Sequence, residues 1–332
     1  MEDHSTSICE HGEIKRSGQG SVKERLCMHR EKKYFYCALI SASSTYMFPL
    51  MFMVVMGMAV SQSIRAQDAA GDIQDLSNMH YPLGVAAKKG GELFIADRLL
   101  PGIWKVANGR TVRFVAGAKK FRSPLSSIRA VAVGPNGDIF AADSGTREIY
   151  SVSEDGSPSP LTGGKIGIPM DMAANSRGQL FVSDLETHQI WKIDVKKGDV
   201  EQYISLPTPR GLFVDQNDQL WVVSTGQNQV IRLDQKKEIT SVVKNQPFDF
   251  PQDIVVDSSG VAYVTDNYKK CVWRIPVNGK PEVWAGGKPL KGPVGIALQQ
   301  ESILVADPKA KQIFKIDHRG SEEGVVTSAL QE

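Results

Sequence analysis

Charged and amide side chains recur at the two positions that open four consecutive segments, which lie about 40 residues apart. They are Arg129, Asp171, Arg210, and Gln252 together with Asp253, and each opens a run of small apolar residues. Two guanidinium groups and two carboxylates around one opening would orient an anionic or polyhydroxyl ligand by bidentate contacts. The same groups would also satisfy one another as an ion-pair ring that lines a wet channel. The sequence leaves both interpretations open.

Metal and nucleophile chemistry is weakly supported. Asp171 and Asp253 are the metal candidates, but calcium takes six to eight oxygen ligands. After residue 66 the histidines are His80, His188 and His318, in unrelated contexts, and no Gly-x-Ser-x-Gly, Cys-x-x-Cys or His-Glu-x-x-His motif occurs. The sequence therefore predicts no cofactor, with a divalent metal such as calcium as the alternative.

A second set of carboxylates has a structural explanation. Each closes an apolar strand just before a polar turn, where a carboxylate accepts backbone N–H bonds. Five equivalent residues fit five equivalent structural roles better than one active site. The set is Asp97, Asp143, Asp184, Asp266 and Asp307.

These residues are positioned by six repeats between residues 81 and 329. Every repeat has a small-residue strand, a strand such as Leu180-Phe181-Val182-Ser183-Asp184, and a strand such as Ile190-Trp191-Lys192-Ile193 with period-2 alternation. A fourth strand follows in most repeats. Four short strands per unit of about 40 residues predict an all-β fold, a six-bladed β-propeller of four-stranded blades. The last outer strand comes either from residues 324–328 or, from the N-terminus, from residues 72–76 within a linker or ring-closing segment at 67–80.

The first 66 residues are predicted to be an extension and signal peptide. A basic run at residues 29–33 precedes an apolar core at residues 47–60, and Ala66 ends a plausible cleavage site. If translation started at Met28, the signal peptide would have an ordinary length. The chain is thus expected to be exported, to the periplasm or beyond. The alternative is a retained membrane anchor at residues 34–63.

Charge and cysteine content narrow the partners. The net charge is +2, and residues 67–332 hold 31 basic and 31 acidic residues. A neutral domain is not expected to bind nucleic acid, and it meets a membrane only through an uncleaved N-terminal segment. Cys271 is the one cysteine after residue 66 and is predicted to be buried and inert.

The repeats resemble a known family. Residues 169–190 and 251–266 are similar to the NHL repeat, and the resemblance covers residues 81–329. It implies a propeller related in fold to gluconolactonase and regucalcin, with functions that range from binding platforms to calcium-dependent lactonases and a zinc lyase. The lactonases carry a first-blade glutamate as a metal ligand, whereas this chain has Leu83 and Gly84 there.

The sequence therefore favours an exported, non-catalytic binding platform over an enzyme. The alternative is a lactonase-like hydrolase or lyase with a divalent metal in the central channel. The partner would be a protein, a glycan or a small polar ligand at the channel mouth. The basic and aromatic segments at residues 118–122 and 267–270 are further candidate contacts, although ordinary solvated loops explain them as well.

Overall fold

The computed structural model describes residues 79–99, 101–108, 110–117, 120, 122–300, 302–317 and 325–328. These residues belong to one compact unit, Ala66–Glu332. They form six four-stranded antiparallel sheets, each built from four consecutive strands. The predicted all-β six-bladed propeller is confirmed.

The strands of the first three blades have the following bounds. Blade 1 holds β1 (Pro82–Ala87), β2 (Leu93–Asp97), β3 (Gly102–Ala107) and β4 (Arg110–Ala116). Blade 2 holds β5 (Ile128–Val133), β6 (Ile139–Asp143), β7 (Glu148–Val152) and β8 (Pro158–Pro160). Blade 3 holds β9 (Pro169–Ala174), β10 (Gln179–Asp184), β11 (Gln189–Asp194) and β12 (Asp199–Ser205).

The other three blades repeat the arrangement. Blade 4 holds β13 (Pro209–Val214), β14 (Leu220–Ser224), β15 (Val230–Leu233) and β16 (Ile239–Val243). Blade 5 holds β17 (Pro251–Val256), β18 (Ala262–Asp266), β19 (Cys271–Ile275) and β20 (Glu282–Gly286). Blade 6 holds β21 (Ile296–Gln299), β22 (Ser302–Asp307), β23 (Gln312–Asp317) and β24 (Val325–Ser328).

The core lies between blades. One cluster joins Phe94 and Ile103 of blade 1 to Val131 and Tyr150 of blade 2, and the remaining clusters likewise span neighbouring blades. A single blade leaves one apolar face uncovered, so each blade depends on its neighbour. Cys271 is also buried, and burial raises the pKa of its thiol to about 12.

The ring closes with each blade made from one continuous stretch of chain. β24 pairs with β23 as the last outer strand, as the first of the two closure hypotheses predicts. β1 contacts β21 and β22 across the junction, where Met79 is buried among residues of blades 6 and 1. Residues 72–76, the signal segment and the candidate anchor lie outside the described residues. Within the described residues, no helix long and apolar enough to cross a membrane occurs.

Strand pairing assigns the loops to two faces of the ring. The first strand of a blade begins opposite the end of the second strand, as Pro82 faces Asp97 and Pro251 faces Asp266. The turns that follow the second strands and the connections between blades therefore share one face, which we call the mouth face. The turns after the first and third strands form the opposite face.

The first strands crowd the axis at the mouth face. A Cβ atom added at Gly211 would lie 2.4 Å from the Cα atom of Asp253. We therefore expect Gly211→Ala to lower the melting temperature by about 5 °C, because the added methyl group would clash with backbone atoms that cannot rotate away as a side chain can. Gly90→Ala is the control, since nothing lies within 4 Å of its added Cβ. Equal melting temperatures for the two variants, measured by calorimetry, would contradict this packing.

Candidate functional site

The repeated aspartates tie each blade together. All five are fully buried. Asp184, for example, accepts backbone N–H bonds from Gly167 and Ile168 at the start of its blade and from Glu186 in the following turn. In blade 4, Ser224 takes this position and accepts one N–H bond, from Gly226. These contacts give the aspartates a structural role and leave the channel residues as the candidates for chemistry.

The predicted site residues meet at the mouth face. Arg129, Asp171, Arg210, Gln252 and Asp253 together line a cavity of about 40 Å³ at the channel opening. We call this cavity the mouth. Apolar side chains and two glycines complete its wall, namely Leu83, Gly84, Ala130, Met170, Val294 and Gly295. Its size admits a substituent such as a carboxylate rather than a whole ligand.

Two carboxyl groups form a pair on the axis. Asp171 accepts a backbone bond from Leu212 of the next blade at 2.7 Å, and Asp253 accepts one from Ile296 at 3.0 Å. The two carboxyl groups lie close enough to influence each other's ionisation. Burial, followed by repulsion from Asp171, raises the pKa of Asp253 well above its usual range, and burial raises the pKa of Asp171. The pair thus shares a proton under conditions in which isolated carboxyls are ionised.

The two arginines face the mouth without full partners. The Nε atoms of Arg129 and Arg210 are buried and have no hydrogen-bond partner. Arg210 donates to Gln252 at 3.3 Å, and its guanidinium lies 4.3 Å from the ring centre of Phe250. Burial, together with the nearby Arg98 and Arg210, lowers the pKa of Arg129 to about 10, so the group stays charged at neutral pH. The ion-pair-ring hypothesis therefore does not account for these side chains, because among the described residues no salt bridge joins them to the carboxyl pair.

Two residues that were not predicted from the sequence support the pair. The Ser183 hydroxyl donates to the carbonyl of Arg210, and the Thr265 hydroxyl donates to the carbonyl of Val294. The backbone N–H groups of Asp171 and Asp253 in turn donate to these hydroxyls. In the other blades the equivalent position is alanine or valine. The two hydroxyls therefore mark the same two blades that supply the carboxyl pair.

A larger cavity lies at the other end of the channel. Its volume is about 600 Å³, and Lys88, Asn175, Asp215 and Asp218 are among its lining residues. Asp215 accepts from the indole nitrogen of Trp221, and Asp218 accepts from the Ser176 hydroxyl. These two carboxylates are satisfied by neighbours, whereas the Nε atoms of the mouth arginines are not, so the mouth is the better candidate site.

The mouth does not fit a divalent metal. The two carboxyl groups share a proton and accept backbone bonds, and two guanidinium groups repel a cation from the same opening. Across the described residues, no three His, Cys, Asp or Glu side chains are grouped as metal ligands. The donor set is therefore suited to an anion rather than to calcium.

The shared proton predicts a pH dependence of stability. A pKa that is higher in the folded state stabilises the fold fully below the usual carboxyl pKa, and this stabilisation is lost as pH rises through the raised pKa. We expect the melting temperature of the native chain to fall over that range, and that of Asp253→Asn to fall less, because its amide stays neutral. Asp249→Asn, at an exposed carboxylate, is the control. Parallel profiles for all three proteins would contradict a shared proton.

Comparison with known proteins gives a family and a fold. The model of the virginiamycin B lyase family matches residues 118–326. No curated protein matches the chain. The solved structures that resemble it share no more than 20% identity in the cases below, and they support the fold alone.

Three of these structures illustrate the range. A catalytically inactive histidine-to-alanine variant of virginiamycin B lyase from Staphylococcus aureus, with quinupristin, is 20% identical, covers 70% of this chain and 79% of that one, and has a TM-score of 0.56. A gluconolactonase from Xanthomonas campestris is 14% identical, with 69% of this chain and 84% of that one covered and a TM-score of 0.59. The nidogen/laminin complex is 15% identical, with 71% of this chain and 89% of that one covered and a TM-score of 0.56. The predicted likeness to gluconolactonase propellers is confirmed as a likeness of fold, and the NHL name stays a prediction.

Proposed function

Because the chain belongs to the virginiamycin B lyase family, we propose that it is a lyase whose reaction takes place at the mouth. One observation carries the proposal. Two half-buried arginines, each with a buried and unpartnered Nε atom, lie beside a carboxyl pair whose pKa values are raised by burial. Such a site combines a place for a negatively charged oxygen with carboxyl groups that can hold and release a proton.

The reaction is an elimination. Arg129 and Arg210 bind the carboxylate or carbonyl oxygens of the substrate, which acidifies the hydrogen on the adjacent carbon. The ionised member of the Asp171–Asp253 pair removes that proton. The electron pair of the broken C–H bond forms a C=C bond, the next C–O bond breaks, and the leaving oxygen takes a proton back from the pair. Arginines support this course because negative charge grows on the oxygens they hold.

The proposed base differs from a histidine. In the Staphylococcus aureus lyase, the catalytically inactive variant has alanine in place of a histidine. Two histidines, His80 and His188, occur in the described part of this chain, and neither lines the mouth. The carboxyl pair is the proton-accepting group that does line it, which supports a carboxylate base in this chain.

The family match also favours the lyase over the non-catalytic binding platform, the two functions that the sequence left open. A non-catalytic platform would need the arginines but gives no role to a shared proton. The lyase alternative uses both. It differs from the sequence-based alternative in that no step passes through a metal.

The test is a product assay with the full chain. Quinupristin, gluconolactone and polygalacturonate are incubated with the protein in EDTA, and new C=C bonds are followed by ultraviolet absorbance and mass spectrometry. We expect an unsaturated product from at least one compound that carries an oxygen on the carbon next to the acidic C–H. Hydrolysis without a C=C bond, binding without turnover, or no reaction with any of the three would overturn the proposal.

A further inference from the structure

Although residues 67–332 are neutral in sum, the fold separates their charges. On the mouth face, the described loops of blades 5, 6, 1 and 2 and their connections carry many basic side chains. We call them the basic arc: Lys244, Lys269, Lys270, Lys288, Lys291, Lys309, Lys311, Arg98, Lys120, Arg122, Arg147 and Lys165. Exposed carboxylates in the described loops of this face are confined to Glu186 and Asp249.

The opposite face has the reverse balance. Its described turns and strand ends carry more carboxylates than cations. The carboxylates are Glu92, Asp138, Glu154, Asp155, Asp194, Asp199, Asp215, Asp218, Asp234, Glu238, Asp257, Glu282 and Asp317, against Lys88, Lys89, Arg110, Arg177, Lys196, Lys197, Lys236, Lys237 and Lys280. The chain is therefore electrically polar along its axis, and an anion is drawn to the face on which the mouth opens.

An aromatic step connects the arc to the mouth. Arg210 stacks over Phe250, and Phe250 stacks with Tyr268 at 4.6 Å between ring centres and 19° between planes. Tyr268 is 63% exposed. Its outer ring face is therefore open to a ligand that runs from the arc toward Arg210, and a flat ring with a polar edge suits a sugar or a base.

We propose that the mouth face binds an acidic polysaccharide, with successive carboxylates along the basic arc and one carboxylated sugar against Tyr268 at the mouth. The cations lie over four adjacent blades rather than in one loop, so a small anion would use few of them and a chain would use many. The choice of a carboxylated sugar chain rests on the proposed elimination, because such a sugar carries both an acidic C–H beside its carboxylate and a linkage oxygen on the next carbon. Nucleic acids lack that arrangement.

The test measures binding apart from turnover. Polygalacturonate and its methyl-esterified form, which has lost its charge, are titrated by calorimetry against the full chain at 50 and 200 mM salt. The variant is Lys269→Glu with Lys270→Glu in the arc. The control is Lys196→Glu with Lys197→Glu on the opposite face, where Lys197 pairs with Asp194 as Lys269 pairs with Asp249.

We expect the arc variant to weaken polygalacturonate binding by about tenfold or more and the control variant to change it by less than about twofold, since only the arc lies near the polymer. Salt should weaken binding of the acidic polymer, and the esterified polymer should not bind. Equal effects of both variants, equal binding of both polymers, or tighter binding of poly(dT) or anionic vesicles would overturn the proposal. Binding without cleavage would contradict the proposed lyase activity but would support polysaccharide binding at the basic arc.

Discussion

Replacing Arg210 with methionine is expected to lower kcat/KM in the elimination assay by about 100-fold or more. The guanidinium of this half-buried residue lies over the Phe250 ring, and its buried Nε has no protein partner, so we assign the missing interaction to the substrate oxygen. Methionine keeps a long apolar side chain over the ring and removes the charge. The fall should be in kcat at least as much as in KM, because the charge on the oxygen grows in the transition state.

Arg232→Met provides the matched control. Arg232 also stacks on an aromatic ring, with its guanidinium 5.4 Å from the ring centre of Trp221, but it lies on the third strand of blade 4 and does not line the mouth. We expect its kcat/KM to stay within about twofold of the native value, since Arg232 lines no part of the mouth and a substitution away from a site seldom disturbs it. Equal losses for the two variants would show that Arg210 acts through stability alone.

Replacing Asp266 with alanine is expected to lower the free energy of unfolding by about 3 kcal/mol or more. Asp266 is fully buried and accepts bonds from the backbone of Asp249, Phe250 and Tyr268 and from the indole nitrogen of Trp273. Alanine would leave these donors unpaired in the interior. Urea unfolding, monitored by fluorescence and analysed as a single transition for the native chain and the variant, measures the loss.

Ser224→Ala is the comparison for Asp266, because Ser224 takes the same position in blade 4. Its hydroxyl accepts one N–H bond, from Gly226, donates to the carbonyl of Pro207, and lies 3.4 Å from the Thr208 hydroxyl. The expected loss is about 1 kcal/mol, the usual scale for a neutral hydrogen bond. A loss at Asp266 no larger than at Ser224 would contradict the structural role of the repeated aspartates.

The fold could be predicted because it repeats. Six copies of one pattern fix the strand order within a blade, and the small first strands and bulky third-strand residues indicate which strand is nearest the axis. Ring closure by Val325–Ser328 could not be decided from the sequence, because both chain ends contain a segment with strand character. Pairing with β23 is a tertiary choice that local pattern does not encode.

The grouping of the candidate residues could be predicted, and their ionisation could not. The register of the repeats brings Arg129, Asp171, Arg210, Gln252 and Asp253 to one opening, which is where the structure has them. The proton shared by the two carboxyls was not predicted, because it depends on burial and on their separation across the ring. A signal for it was nevertheless present, since Ser183 and Thr265 replace alanine or valine in the same two blades that carry the carboxyl pair.

The most direct test of the central claim is the kcat/KM of the double variant Asp171→Asn with Asp253→Asn. Amides retain the shape and much of the hydrogen bonding of the pair but cannot accept the substrate proton. We predict a fall of about 100-fold or more, the usual contribution of general acid–base catalysis, with the melting temperature at neutral pH kept or raised. Elimination at the native rate in a folded double variant would contradict the assignment of the reaction to this pair.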